Sequence, residues 1–282
     1  MTDPATETRP SALLVVALGA LLPLVILGTG LWWVLRQPPD APSSVVSRTP
    51  TAEEIAREFR GLGAEIEATD LLERGRYAEA VEVLDSGIAA DPSHAHAYVL
   101  RGFAKTELLR LEAALADFDF AISLVPEYAE AFRRRGHVKR RLGQLEEALV
   151  DLGEAIRLEP EDFFAHAEQA RALAELGRHA EAVAAYDRAL ALKPNDLHAI
   201  GNRGVSRGAL GDYAGAVADY DQVLAANPND VNGYYNRAIM KLALGQPHEA
   251  LVDCDRALSL ELPPGLADEL RSLRAEAKRA AD

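Results

Sequence analysis

An all-α solenoid of six helix pairs, closed by a cap helix and preceded by one membrane helix, is the fold this sequence predicts. Three observations predict it. Pro92, Pro126, Pro160, Pro194 and Pro228 stand 34 residues apart. Alanine recurs in the same register at Ala80, Ala114, Ala148, Ala182, Ala216 and Ala250. No charged residue interrupts the run from Ala12 to Leu35. A fixed period of this length marks stacked repeats, and an uncharged run of that length marks a membrane span.

The N-terminal elements come first. Residues 1–11 form a short tail. Residues 12–35, at about 1.5 Å each, reach roughly 36 Å, enough to cross a ~30 Å hydrocarbon core with some tilt. Trp32, Trp33 and Arg36 close the run as an interfacial anchor. Pro23 lies mid-span, where a kink is expected. A cleaved signal peptide has a shorter apolar region and a small-x-small cleavage site, whereas Leu-Arg-Gln-Pro-Pro follows this one. Residues 36–50 carry four prolines and three serines and read as a semi-rigid linker. Arg9 and the terminal amine on one side balance Arg36 and Arg48 on the other, so flanking charge leaves orientation open. By analogy with short-tailed signal anchors, the N-terminus is expected inside and the C-terminal domain outside.

Residues 51–282 hold the repeats. With each proline as position 32, the units are 61–94, 95–128, 129–162, 163–196, 197–230 and 231–264. Position 8 is always small (Ala68, Gly102, Gly136, Ala170, Gly204, Ala238), and so is position 20. Position 27 is small in all but the fifth unit, where it is Val223. Small residues there let two antiparallel helices approach closely. Position 24 is mostly large (Leu84, Phe118, Leu152, Tyr186, Tyr220, then Cys254) and fills the space between units. Gly75, Gly143, Gly177, Gly211 and Gly245 at position 15 end the first helix where positive φ is wanted. Proline at 32 cannot continue the second helix. Thr51-Ala52-Glu53-Glu54 reads as a capping box that starts an extended first helix near residue 52. Leu266, Leu270, Leu273 and Ala277 form an apolar stripe on a cap helix, 266–281, with Asp268, Arg271, Arg274 and Lys278 facing elsewhere.

These phased residues resemble the tetratricopeptide repeat (TPR) family. The resemblance implies a right-handed solenoid whose first helices line a concave face that binds peptides. Position 11 departs from the family's usual tyrosine: it is Leu71, Lys105, Lys139, Leu173, Arg207 and Lys241.

Composition excludes several classes of function. The chain has 282 residues, 30 Lys+Arg and 44 Asp+Glu, hence a net charge of −14. All of it falls in residues 51–282, which disfavours a nucleic-acid partner. Cys254 is the only cysteine, so there is no disulfide framework and no multi-cysteine zinc site. No cysteine near Met1 offers a lipoprotein anchor. Gly204-Val205-Ser206-Arg207-Gly208 matches a nucleophile elbow, but it falls inside a predicted helix, where the elbow needs a strand and a strained turn. No metalloprotease, P-loop or dinucleotide motif occurs. His94 and His96, two apart at a helix start, are not expected to share a face. Cys254 occupies a core slot. No enzyme activity, cofactor or metal is expected.

Two sets of residues remain. Arg101, Arg135, Arg203 and Arg237 stand at position 7, and Asp117, Asp151, Asp219 and Asp253 at position 23, of the same four units. In units 1 and 4 both are lost together, to Glu67 with Val83 and to Gln169 with Ala185. Joint loss points to an ion pair between the two helices of a unit. The second set is the concave face the family resemblance implies, positions 2, 5, 6, 9, 12 and 13. It offers Val99, Leu100 and Phe103 in unit 2, and Arg133, Arg134, His137, Arg140 and Arg141 in unit 3. Phe164, Glu168, Arg171 and Glu175 follow in unit 4. Gly201, Asn202, Val205 and Gly208 follow in unit 5, and Asn232, Tyr235, Asn236 and Ile239 in unit 6. The basic cluster of unit 3 is either a site for an acidic stretch of a partner or a solvated face neutralised by Glu107, Glu130, Glu168 and Glu175. The carboxylate clamp of chaperone-binding relatives needs Lys and Asn where unit 3 has Arg133 and His137, and Asn where unit 4 has Glu168. The amides of Asn202, Asn232 and Asn236 can hydrogen-bond an extended backbone, with Tyr235 and Ile239 making apolar contact.

The sequence therefore predicts a single-pass anchor in the inner (cytoplasmic) membrane of a bacterial cell envelope, with the repeats on the periplasmic side serving as a scaffold or assembly factor for a protein or peptide. The alternative is a cytoplasm-facing receptor or co-chaperone of the same fold.

Overall fold

Thirteen helices follow one another in a computed structural model that describes residues 52–262 and 264–282, with side chains from residue 61. The segments expected to be a tail (1–11), a membrane helix (12–35) and a linker (36–50) lie outside the described residues. Among the described residues no helix is long and apolar enough to cross a membrane, and there are no strands.

The helices pair by unit. The pairs are α1 (Ala52–Glu73) with α2 (Tyr77–Ala90), α3 (Ala95–Glu107) with α4 (Leu111–Leu124), and α5 (Ala129–Arg141) with α6 (Leu145–Leu158). They continue with α7 (Phe163–Glu175) and α8 (His179–Leu192), α9 (Leu197–Ala209) and α10 (Tyr213–Ala226), and α11 (Val231–Ala243) and α12 (Pro247–Leu258). The cap is α13 (Leu266–Ala281). The first helices α1, α3, α5, α7, α9, α11 and the cap touch side by side, whereas no two second helices touch. The layer whose members touch has the shorter arc. First helices therefore form the inner face and second helices the outer one.

Local chemistry explains the boundaries. Position 34 is the N-cap of the next unit: Asp162 accepts from the amides of Phe164 and Ala165, Asp196 from Ala199, and Asp230 from Gly233. The five position-15 glycines all take positive φ, from 70° to 81°. Unit 2 has Leu109 there, and it takes the same left-handed conformation at φ 61°. The reason is visible in the hydrogen bonds: Leu109 donates to the Thr106 carbonyl and Arg110 to Lys105. Gly143 and Gln144 donate in the same way to Arg140 and Lys139. The turn is imposed by the helix end, and the residue must follow.

All six position-20 alanines are fully buried. At position 24 Leu84, Phe118, Leu152, Tyr186, Tyr220 and Cys254 are buried as well. Each large one contributes about 1.5–3 kcal/mol of burial. The small residue at position 8 is sterically required in unit 2, since a Cβ on Gly102 would lie 2.7 Å from the Phe118 ring. Burial, with help from Asp253 and Asp255, pushes the Cys254 thiol up to about 11. One apolar cluster runs through units 1–3 as far as Val138 and Leu142, and another runs from Leu149 and Ala170 to Val223. Ser206 is fully buried inside α9.

Two sequence expectations need correction. Val99 and Leu100 do not line an open face: they are 0% and 8% exposed, drawn into the core that joins α1, α3 and α5. His94 and His96 do meet, at Glu65, with Nε2–Oε distances of 2.6 and 3.4 Å. His94 precedes α3, so helical spacing does not govern it. Off the cap's apolar stripe, as expected, Arg274 Nε lies 2.5 Å from Asp255 and ties the cap to α12. Tyr235 is half-buried, and burial, with Glu269 on α13, raises its pKa.

Candidate functional site

The position-7 arginines meet the position-23 aspartates of their own units. Nη2 to Oδ1 is 2.6 Å for Arg101–Asp117, Arg135–Asp151, Arg203–Asp219 and Arg237–Asp253. These aspartates are only 1–3% exposed. Two further partners complete each rung. Nη1 of the same arginine donates at 2.6 Å to position 25 of the preceding unit, namely Asp85, Asp119, Asp187 and Asp221. Position 11 supplies a second cation to each buried aspartate: Lys105 and Lys139 at 2.7 Å, Arg207 and Lys241 at 2.8 Å. That explains the departure at position 11. Where the aspartate is missing, in units 1 and 4, position 11 is a buried leucine, Leu71 or Leu173. The correlation between positions 11 and 23 was present in the sequence and identifies these cations. A buried carboxylate with two cations meets the requirement that buried charge be paired.

The inner face carries a different arrangement. Its centre is a pocket of about 240 Å³ between α3, α5 and α7, walled by Phe103 and Phe164 and floored by Arg133, Arg134, His137 and Glu168. Helix α5 places all five predicted basic residues of unit 3 in reach of that pocket or its rim. The Arg134 guanidinium lies 4.5 Å from the Phe103 ring centre and bonds Glu130 at 2.7 Å. The Arg133 guanidinium lies 5.5 Å from the Phe164 ring centre, and its Nε is 2.8 Å from Asp162, out of hydrogen-bond alignment. His137 and Arg140 converge on Glu168 Oε2 at 3.0 and 2.9 Å. Arg171 takes Oε1 at 3.0 Å. Arg140 also reaches Glu175 at 2.5 Å. Burial works to raise the Glu168 pKa, but His137, Arg140 and Arg171 outweigh it and hold the carboxyl down at about 2.

Glu130, Glu168 and Glu175 therefore neutralise most of the cluster, while Glu107 lines the pocket without an ion pair among the described residues. Arg141 is exposed and, among the described residues, meets only the Thr106 carbonyl, at 3.4 Å. Phe164 is 58% exposed at the pocket mouth. Asn202, Asn232, Tyr235 and Asn236 stand on α9 and α11, separated from the α5 cluster by α7; Asn232 is exposed and the others are half-buried. Among the described residues no group of histidine, cysteine and carboxylate side chains could hold a metal.

Family models described as tetratricopeptide repeat match residues 67–104 and 133–196, residues 197–230 and residues 219–252, together more than half of the chain. Solved structures show the same fold. YrrB, described as a TPR protein with an unusual peptide-binding site, is 23% identical with a TM-score of 0.60, covering 71% of this chain and 100% of its own. PilF of Pseudomonas aeruginosa is 18% identical with a TM-score of 0.69, covering 78% and 99%. PilW, described as a widely conserved type IV pilus biogenesis factor, is 18% identical with a TM-score of 0.65, covering 72% and 93%. No curated protein sequence matches.

Proposed function

This chain belongs to the tetratricopeptide repeat family, and on that premise we propose that it is a membrane-anchored scaffold or assembly factor that holds a peptide segment of a partner protein on its inner face. The observation that carries the reading is the pocket between α3, α5 and α7. It sets an exposed aromatic, Phe164, beside guanidinium groups at the middle of the inner layer. Exposed aromatic and arginine side chains in a concavity are what binding hot spots are made of. The peptide-binding description of YrrB and the pilus-biogenesis description of PilW support a scaffold role of this kind.

An acidic stretch of the partner is the natural occupant. It would engage Arg141, which has no carboxylate partner among the described residues, and compete with Glu130 and Glu168 for Arg133, Arg134, His137 and Arg140. The amides of Asn202, Asn232 and Asn236 would continue the track along an extended backbone. Residues 12–35 would anchor the scaffold in the inner membrane, with the repeats on the periplasmic side. A photo-crosslinking residue at Phe164 in intact cells, read by mass spectrometry, tests the site. One partner segment containing acidic residues is expected. Crosslinks only from outer-face positions such as Val150 would refute it. Protease access to tagged termini tests the side of the membrane, and protection of the repeats would instead indicate the cytoplasm-facing receptor.

A further inference from the structure

The rungs that bind unit to unit are interrupted once. Arg101–Asp85, Arg135–Asp119, Arg203–Asp187 and Arg237–Asp221 staple units 1–2, 2–3, 4–5 and 5–6, and Arg274–Asp255 staples the cap. Between units 3 and 4 the three rung positions are Gly153, Gln169 and Ala185. An outer-layer void of about 360 Å³ sits there instead, lined by Leu149, Gln169, Leu173 and Ala185 among others. The apolar core divides inside unit 3, between Leu142 and Leu149, so only the cluster that begins at Leu149 crosses the 3–4 junction. It divides again beyond Val223, but there Arg237–Asp221 crosses the gap. The ionic ties of the 3–4 junction lie on the inner face: His137–Glu168, Arg140–Glu168 and Arg140–Glu175, with Arg133 of unit 3 beside Asp162, the cap of α7.

From this we infer that the junction between units 3 and 4 is the solenoid's flexing point, latched on its inner face by Glu168 and its partners, so that an anion occupying the site releases the latch and changes the curvature. Adjacent units related by a stapled junction move as one body, whereas a junction without a staple is where a stack of repeats bends. The latch residues are those of the proposed binding site, so the coupling to ligand rests on the proposed function. Any anion that takes Arg140 and His137 from Glu168 binds the unlatched state better, which is the condition for a population shift.

Pairs of nitroxide labels on the full chain test this. Position 22 is exposed on every second helix concerned, at Ala116, Val150, Ala184 and Ala218. Exchanged pairwise for cysteine, with buried Cys254 left in place, they report distances across the 2–3, 3–4 and 4–5 junctions by double electron–electron resonance. The 150/184 distribution is expected at least twofold wider than 116/150 and 184/218. Glu168→Gln should widen it further. Gly153→Asp, Gln169→Arg, Leu173→Lys and Ala185→Asp together should narrow it to the neighbours' width. A ten-residue oligoglutamate peptide should act like Glu168→Gln. Equal widths at all three junctions, or no response to Glu168→Gln, overturns the flexing point whether or not the restored rung folds. If the labelled peptide binds by fluorescence anisotropy yet leaves the widths unchanged, the coupling alone falls. If it does not bind at all, the coupling and the acidic-ligand reading fall together.

Discussion

Arg203 and Asp219 meet at 2.6 Å, and Asp219 is almost wholly buried, so the aspartate depends for its charge on Arg203 and on Arg207 at 2.8 Å. Arg203 is less dependent, because it also reaches the exposed Asp187. Asp219→Ala leaves two cations crowded beside an apolar slot, and it should cost about 3–5 kcal/mol, as breaking a buried pair does. The triple exchange Arg203→Gln, Arg207→Leu and Asp219→Ala copies unit 4 and should cost less than Asp219→Ala alone. Urea unfolding of the three proteins checks this. A triple exchange that costs more than Asp219→Ala would exclude a shared rung.

Leu109 sits at φ 61° with its side chain 70% exposed, so it bears the strain of a left-handed turn without burying surface in return. Leu109→Gly should stabilise by about 1 kcal/mol, the relief of strain outweighing the extra freedom of glycine in the unfolded chain. Gly211→Leu, at φ 81°, should destabilise by a similar amount. A shift of either urea midpoint in the wrong direction would contradict the turn as described.

Acid should unlatch the inner face. The Glu168 pKa is lowered from 4.5 to about 2 in the fold. A carboxylate with a depressed folded pKa stabilises above its unfolded pKa and loses that stability as pH falls through the folded value. The window is therefore about pH 4.5 down to 2, and the loss on the order of 3 kcal/mol. Thermal melts across that window should fall steeply for the natural chain and less for Glu168→Gln. Parallel curves would show that other carboxylates carry the acid response.

Phe164→Ala should leave the melting temperature within about 2 °C, since the ring is mostly exposed and few contacts are lost. It should still weaken capture of the crosslinked partner at least tenfold. Arg141→Glu should weaken capture as well, and raising salt should weaken the natural complex, because the contact is steered by charge. Equal capture by Phe164→Ala would move the site to Asn202, Asn232, Tyr235 and Asn236.

Residues 51–282 expressed alone should be soluble and mainly helical by circular dichroism, since every described helix packs within this segment. Aggregation or lost helicity would contradict the division at the linker.

The repeat was legible because each unit solves the same packing problem with the same residues. Ala80 and its five equivalents needed only alignment to stand out. The Arg–Asp pairing within a unit was legible from joint loss in units 1 and 4. The tie to the preceding unit was not, because Asp85, Asp119, Asp187 and Asp221 belong to a different repeat from the arginine they meet. Reading each unit by itself separates the partners. Leu109 was readable only as a missing glycine, and the left-handed turn it nonetheless makes is a property of the backbone. The inner site was half legible. Its basic residues stand in one nine-residue stretch, but Glu168, the acceptor for three of its neighbours, lies about thirty residues on from His137 and looked like a departure from a known clamp. Val99 and Leu100 were misplaced because position in a repeat gives the direction of a side chain and says little about how fully its neighbours cover it.

Because every staple takes its acid from the unit before, units 2, 3, 5 and 6 carry a standard plug and unit 4 a blank one. Excise unit 5, and Arg237 would face Asp187, a partner of the kind it has now. Excise unit 4, and Arg203 would face Gly153. Unit 5 is thus an interchangeable cassette, free to be gained or lost as the array lengthens or shortens. Unit 4 has no such freedom: a duplication of it would set a second Gln169 where a staple needs arginine, and so repeat the gap.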